Sequence, residues 1–480
     1  MYIGVDLGTS ELKALLLAPD HRVVAQTGQK LTVAQPQPLW SEQDPAAWDA
    51  ALVAALDELA ARAPQAMRAV RGIGLAGQQH GAVVLDSTFT PLRPAILWND
   101  GRSHAECAAL DKACPQSVAL TGNYAMPGFT APKLLWMRAH EPDLFARVQL
   151  VLLPKDYLRL RLTGEAVSDM SDASGTFWLD IAKRDWSDEL LAACSLTRQQ
   201  MPRLAEGSDI TGYLRPDWAQ RWGMGARVLV AGGAGDNAAS AIGMGVIAPD
   251  DGFLSLGTSG VIFRTTSGFA PNADACIHAF CHALPQSWHQ MSVMLSAASA
   301  LQWVTRLTGF ANEAALLAEI ATLTEAEKAA APLFLPYLSG ERTPHNNARA
   351  KSGFFGLSSG HQAASLGYAV LEGVGYGLRD GLRALGPEAG SKGLLLVGGG
   401  SRSPLWSQIL ADNLEIPLSV CAGSELAGAI GAARLAWLAD GGARETVCPP
   451  AIRGQSFTPQ GRFSASRYAR FNAAWPMALA

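Results

Sequence analysis

Asp6-Leu7-Gly8-Thr9-Ser10 and Ser255-Leu256-Gly257-Thr258-Ser259 carry the same tetrapeptide, Leu-Gly-Thr-Ser, in the two halves of a 480-residue chain. Each copy closes one apolar strand and opens another. Tyr2–Leu7 leads into Leu12–Leu17, and Phe253–Leu256 into Gly260–Arg264. The turns between these strands are tight, and their unpaired backbone N–H groups and hydroxyls can grip an anion. A fold of two similar halves would set two such turns facing each other. The copies differ in the preceding residue, a carboxylate in Asp6 and a hydroxyl in Ser255. Only the first half therefore brings a carboxylate to a metal.

The length exceeds one ordinary hydrophobic core and suits two large domains. With 49% hydrophobic and 17% charged residues the chain reads as folded and globular, and its net charge of −4 offers no electrostatic footprint for nucleic acid. The seven cysteines include no Cys-x-x-Cys pair and are odd in number, which argues against a disulfide framework or a zinc site. They read as reduced thiols. No run of 18 or more apolar residues occurs, and strand Tyr2-Ile3-Gly4-Val5 follows the first residue without a basic and apolar leader. These features predict a cytoplasmic protein with no membrane partner.

Strands alternate with helices in both halves. Asp44-Pro45 followed by Trp48, Leu52, Leu56 and Leu59 predicts an N-capped core helix to about Arg62. Val70–Ala76 reads as a glycine-rich buried strand that delivers Gly77-Gln78-Gln79-His80-Gly81 at its end, and Ala82–Leu85 returns as another. From about Trp98 to Gly225 loops and helices elaborate the first domain. Val228–Ala231 then meets Gly232-Gly233-Ala234-Gly235-Asp236-Asn237, with a small-residue helix to Gly243 and a crossover near Val246–Asp251. In the second half a helix is expected over Ala363–Leu385. The glycines at 367, 373, 375 and 377 within it cost about 3–4 kcal/mol against alanine, which predicts close packing against another backbone. Strand Leu394–Val397 runs through Gly398-Gly399-Gly400 to an N-cap at Ser403-Pro404, and strand Leu418–Val420 precedes a helix over Glu425–Ala439. The expectation is an α/β protein of two layered domains, 1–246 and 247–480, with a cleft between them.

Two glycine motifs are decoys. Gly72-Ile73-Gly74-Leu75-Ala76-Gly77 matches a dinucleotide fingerprint but alternates like a strand and leads into a strand, not a helix, and Gly243–Ala248 matches only nearly. Glycines in a strand also serve close packing. No Gly-x-x-x-x-Gly-Lys-Ser/Thr loop occurs, so ATP chemistry needs another scaffold.

The order Asp6–Ser10, then Leu254–Gly260, then Val397–Ser401, spaced by about 250 and about 140 residues, resembles the actin, hexokinase and Hsp70 ATPase superfamily. That resemblance implies two ribonuclease H-like domains whose hairpins clamp phosphates while the third turn holds adenosine. Within it the chain is similar to the FGGY carbohydrate kinases over nearly its full length, at Asp6–Ser10, Trp98-Asn99-Asp100-Gly101-Arg102, Gly128–Trp136, Gly235-Asp236-Asn237 and Gly353-Phe354-Phe355-Gly356-Leu357. Gly77–Gly81, Leu338–Asn347 and Asp169–Thr176 are most similar to the D-xylulose-phosphorylating members. The resemblance implies phosphoryl transfer from MgATP to the C5 hydroxyl of D-xylulose.

It also implies roles. Asp236 would be the catalytic base, with an Asx-turn or helix cap as the bland alternative. Asp6 would serve Mg²⁺, through bound water, because magnesium keeps much of its hydration shell. Gly8, Thr9, Ser10, Gly257 and Thr258 would bind phosphate, Gly399 and Gly400 adenosine. Lys13 would add charge near the phosphates or stand as a solvated strand lysine. Gln79, His80, Asn237 and Asp236 would meet the sugar, since polyol hydroxyls need both donors and acceptors. Asp100, Arg102, Glu341 and Arg342 would form cleft ion pairs or bind ligand. Two residues depart from the pattern. Gln79 stands where methionine is frequent and adds hydrogen-bonding capacity, and Glu11 replaces a small residue beside the phosphates.

Rival readings are a kinase for ribulose, a deoxy-ketose, gluconate or glycerol, which shares the phosphate residues, and an actin-like or chaperone ATPase, which has no use for a polyol pocket. Oligomeric state stays open, a homodimer included.

Overall fold

The computed structural model describes residues 1–479. Tyr2–Leu7 is the central strand of the first sheet, antiparallel to Glu11–Leu17 and parallel to Gly72–Gly77. Beyond Gly72–Gly77 come Leu229–Ala231, parallel, and Ile210–Tyr213, antiparallel. Val23–Lys30 closes the other side. The second sheet repeats this plan with Gly252–Leu256 at its centre. It is antiparallel to Gly260–Thr266 and parallel to Leu394–Val397, followed by Leu418–Cys421, parallel, and Arg453–Phe457, antiparallel. Trp288–Met294 takes the place of Val23–Lys30, and His278–Cys281 extends the edge. The duplicated tetrapeptide thus marks a duplicated sheet, and each copy sits in the turn of the equivalent hairpin.

Local chemistry explains the elements that carry the sheets. Helix Pro45–Arg62 starts where Asp44 accepts from the Ala46 N–H and proline occupies the first turn, and it buries Trp48, Leu52, Leu56 and Leu59. Ser403 caps helix Pro404–Leu414 in the same way, accepting from the Trp406 N–H. Helix Ala363–Ala384 tolerates its glycines because its neighbours occupy the space of the missing side chains. A Cβ on Gly373 would lie 2.3 Å from the Phe334 carbonyl oxygen. Gly367, Gly375, Gly377 and Gly381 instead meet side chains, those of Ile320, Asn413, Met294 and Ser292, so only one of the five packs on another backbone.

Helix Ala427–Ala439, from the second half, joins the two sheets. It starts two residues later than the sequence suggests, because Ser424–Leu426 forms a 3₁₀ turn first. A Cβ on Gly4 would lie 1.8 Å from the Ala429 carbonyl oxygen, and one on Gly74 1.8 Å from that of Ala432. On the helix itself, a Cβ on Gly431 would lie 1.8 Å from the Ala239 carbonyl oxygen of helix Asp236–Gly243. The apparent dinucleotide motif is therefore a strand, Gly72–Gly77, stripped of side chains to seat a helix. All seven cysteines are free and buried. Among the described residues no helix is long and apolar enough to cross a membrane.

Candidate active site

The first Leu-Gly-Thr-Ser turn is closed by the Gly8 N–H, which donates to the Glu11 carbonyl at 3.0 Å. The Thr9 hydroxyl donates to Gln78 Oε1 at 3.0 Å and accepts from the Trp98 indole N–H at 3.0 Å. Gln78 in turn donates to Gln43, whose amide nitrogen holds the Thr9 carbonyl at 2.7 Å. This turn is thus fixed through its side chain and carbonyl. Ser10 is exposed beside it. The Glu11 carboxylate folds over Gly28 on the neighbouring strand, where a Cβ would meet its Oε1 at 2.2 Å.

The second turn is closed by the Gly257 N–H on the Ser259 carbonyl at 3.1 Å, and Thr258 is exposed. The N-terminus of helix Ala298–Leu307 docks on it, with the Ala297 and Ala298 N–H groups donating to the Thr258 and Gly257 carbonyls at 2.9 Å. The third turn lies against the same strand end. Gly398 has φ +88, and a Cβ there would lie 2.8 Å from the Leu256 carbonyl carbon. A Cβ on Gly399 would meet nothing within 4 Å, so this glycine borders open space.

Asp6 and Asp236 are brought near each other at the strand ends of the first sheet. Asp6 is level with Ala76 on the adjacent strand, and Ala76 pairs with Ala234, two residues before Asp236. Asp236 opens helix Asp236–Gly243 and accepts from the Asn237 backbone at 2.7 Å and from its amide at 2.9 Å. Burial, and secondly the charge of Asp6, push the Asp236 carboxyl up to about 7. Burial raises Asp6 to about 6, with Lys13 opposing. Lys13 pairs with Asp6 across the hairpin, and its ammonium donates to the Glu425 carbonyl at 3.0 Å, bridging the halves.

Gln79 is buried and runs past Gly235, where a Cβ would meet its Nε2 at 2.6 Å. That nitrogen donates to the Ser171 carbonyl at 3.0 Å, leaving Oε1 as the amide's other polar atom. His80 adopts φ +68 and lies 2.7 Å through Nδ1 from the Gly175 carbonyl. Nδ1 must carry the proton to make that bond, so Nε2 is an acceptor. Burial holds the ring neutral by lowering its pKa to about 3. Phe129 packs edge-on against it at 5.1 Å between centroids.

The structure assigns Asp100 and Arg102 to a buried ion pair, 2.7 Å apart, with Glu42 also 2.7 Å from the guanidinium and Trp40 stacked beneath it at 3.5 Å. Glu341 braces its own loop, accepting from the Leu295 and Arg342 N–H groups at 2.9 and 2.7 Å. Arg342 instead reaches His278 Nε2 at 3.2 Å, in the aromatic cluster beside His80. Sequence reasoning missed the support groups. Lys133 is fully buried and donates to the His80 carbonyl at 2.9 Å, and Trp98 orients Thr9. A lysine inside the apolar run Phe129–Trp136 was the available signal, since lysine is rarely buried without a task.

Comparison with known proteins follows the same division. The profile of the FGGY family of carbohydrate kinases, N-terminal domain, matches residues 1–243, and that of the C-terminal domain matches 252–439. The chain belongs to the FGGY family of carbohydrate kinases. Among its relatives, the xylulose kinase of Escherichia coli (strain K12) is 55% identical over 92% of this chain and 90% of that protein. The xylulose kinase of Klebsiella pneumoniae is 53% identical over 96% of this chain and 95% of that protein. Of solved structures, a xyloylose kinase from Brucella ovis superposes with a TM-score of 0.95 at 47% identity, covering 99% of both chains. The xylulose kinase from Rhodospirillum rubrum gives 0.90 at 29%, covering 99% of this chain and 98% of the other. This FGGY kinase therefore has the actin/hexokinase-like fold, with its duplicated sheets on either side of the cleft.

Proposed function

We propose that the protein is a xylulose kinase, which transfers the γ-phosphoryl group of ATP to O5 of D-xylulose and releases D-xylulose 5-phosphate and ADP. The observation that carries this reading is the packing of the Gln79 amide on Gly235, where a Cβ would lie 2.6 Å from Nε2, which supports a sugar-facing amide next to the Asp236 carboxylate. The xylulose kinases of similar sequence support the choice of sugar. The unit 1–246 carries the base and sugar groups, and 247–480 the second phosphate turn and the adenosine turn.

In this reading the sugar lies against Gln79, His80 and Asn237 with O5 at Asp236. Backbone N–H groups at Thr9 and Thr258 receive phosphate oxygens, while Gly8 and Gly257, whose own N–H groups close the two turns, let the phosphates approach, with Ser10 at the mouth and Lys13 adding positive charge. Gly399, which borders open space, leaves room for adenosine, while Gly400 lets the same turn pack on Leu256, where a Cβ would lie 2.5 Å from Cδ2. O5 attacks the γ-phosphorus, its bond to the β-phosphate oxygen breaks, and the O5 proton passes to the Asp236 carboxylate. In a loose transition state the proton leaves late, so a carboxylate that orients the hydroxyl supplies much of the benefit. Closure of the two halves excludes water from the transfer.

The residues fit a magnesium ion. Asp6 Oδ1 is buried without a hydrogen-bond partner, and Gly428 packs so closely on the carboxylate that a Cβ there would lie 2.5 Å from Oδ2, which leaves Oδ1 as the oxygen that lacks a partner. Among the described residues no group of three or more His, Cys, Asp or Glu could hold a metal, which suits an ion that takes one or two carboxylates and fills its shell with water and phosphate oxygens. Asp6 would hold Mg²⁺, which when bound offsets the charge of the transferring phosphoryl group. On this reading the protein works in the cytoplasm, where it draws on the ATP pool.

A sugar panel in an ADP-release assay tests the substrate. D-xylulose should give the highest kcat/KM, and D-ribulose, gluconate or glycerol far above it would contradict the reading.

A further inference from the structure

The segment Asp169–Thr176, a motif in the sequence, touches every part of the acceptor side of the site. Asp169 caps the short helix Met170–Ala173, accepting from the Ser171 and Asp172 N–H groups. The Ser171 hydroxyl donates to Asp169 Oδ2 and accepts from the Gly235 N–H at 3.1 Å. Its carbonyl accepts from Gln79 Nε2 at 3.0 Å, while the Gly175 carbonyl meets His80 Nδ1 at 2.7 Å. One residue, Ser171, is thus bonded both to the residue before Asp236 and to the amide of Gln79.

The ground on which Ser171 stands is rigid. Asp169 Oδ1 lies 2.7 Å from the Lys155 ammonium, which also holds Asp156 and Asp172, and all four side chains are wholly buried. Arg159, equally buried, donates to the Ala231 and Gly232 carbonyls, at the far end of the loop that leads to Asp236. The loop has no slack between these anchors. A Cβ on Gly233, at φ +70, would lie 2.0 Å from the Leu75 carbonyl oxygen.

We propose that Ser171 is a positioning residue, which holds the Asp236 loop through its side-chain hydroxyl and the sugar-facing Gln79 through its backbone carbonyl, so that base and sugar are set relative to each other by one buried residue. The inference rests on the assignment of Asp236 as base. Ser171 touches no reacting atom. Its hydroxyl fixes the Gly235 N–H, and a near-attack geometry is sensitive to displacements of about 1 Å.

Ser171→Ala removes that hydroxyl and leaves the carbonyl. Its kcat with D-xylulose is expected to fall about ten- to hundredfold, with the KM for ATP within about twofold of wild type. Thr176→Val is the control, because the equally buried Thr176 hydroxyl bonds only locally, to the Ala173 carbonyl and the Trp178 N–H. It should lower thermal stability while leaving kcat near wild type. Ser171→Cys, near in size and weaker in hydrogen bonding, should fall between, and it is read by the same criterion should Ser171→Ala fail to fold. A kcat within about twofold of wild type, or a loss equalled by Thr176→Val, overturns the proposal. Asp236→Asn run in parallel separates the layers. An inactive Asp236→Asn beside a normal Ser171→Ala overturns the positioning role alone. Retained turnover in Asp236→Asn overturns the base assignment and the proposal with it.

Discussion

The Thr9 hydroxyl donates to Gln78 Oε1 at 3.0 Å, so the side chain of the first Leu-Gly-Thr-Ser turn is oriented by the residue next to Gln79. On the proposed function, two adjacent glutamines would serve the two substrates, Gln78 the donor side and Gln79 the acceptor side. Gln78→Ala unties Thr9 and leaves Gln79 in place. The loss of about one hydrogen bond should raise the KM for ATP roughly fivefold, with the sugar KM nearly unchanged. Initial rates with each substrate varied in turn distinguish this from a general loss of activity.

The seam between the halves is equally specific. Gly74→Ala would force a methyl group to within 1.8 Å of the Ala432 carbonyl oxygen, a backbone atom that cannot rotate away. Overpacking of this kind costs about 3 kcal/mol. The variant should unfold at clearly lower urea concentration, whereas Gly223→Ala, at a glycine with nothing within 4 Å, should lose only the smaller cost of its φ of +64. Equal urea midpoints for the two would contradict the close seam.

Acid should reveal the buried histidines. His282 is fully buried in the second domain against His289 and Phe263, and burial pushes its pKa down to about 3. Its folded pKa lies below the unfolded value near 6.5, so its neutral state favours folding above that pH and the advantage disappears as pH falls toward 3. Other buried groups titrate in the same range, and comparison with His282→Gln cancels them. The stability gap between wild type and variant should shrink by about 2 kcal/mol from pH 7.5 to pH 5.0 in urea titrations. A constant gap would contradict a neutral His282.

The fold was legible because its signals are local and repeated. Strand–turn–strand patterns at both Leu-Gly-Thr-Ser copies, the Asp44-Pro45 and Ser403-Pro404 caps and the open turn at Gly399 all depend on residues within a few positions of one another. The candidate site was legible at its first layer, since Asp6, Gln79, His80 and Asp236 all sit at or just beyond strand ends. The supporting layer was not. Ser171 meets Gly235 across 64 residues, and Lys133 meets the His80 carbonyl across 53, separations that no local pattern encodes. Nothing in the sequence pairs Lys155 and Arg159 with Asp156 and Asp169, and only the packed structure reveals that these charges neutralise one another in the interior. Asp100 and Arg102 could equally have met ligand or each other, and it is the stacking of Arg102 on Trp40 that decides for the ion pair.

The central claim is that Asp236 accepts the proton of the attacking hydroxyl while the donor side works independently of it. Asp236→Ala, assayed for D-xylulose phosphorylation and titrated with ATP by calorimetry in the same preparation, tests it most directly. The account predicts a loss of about a thousandfold or more in kcat, with ATP affinity within about threefold of wild type. Sugar phosphorylation at more than about a tenth of the wild-type rate would contradict it and place the base elsewhere.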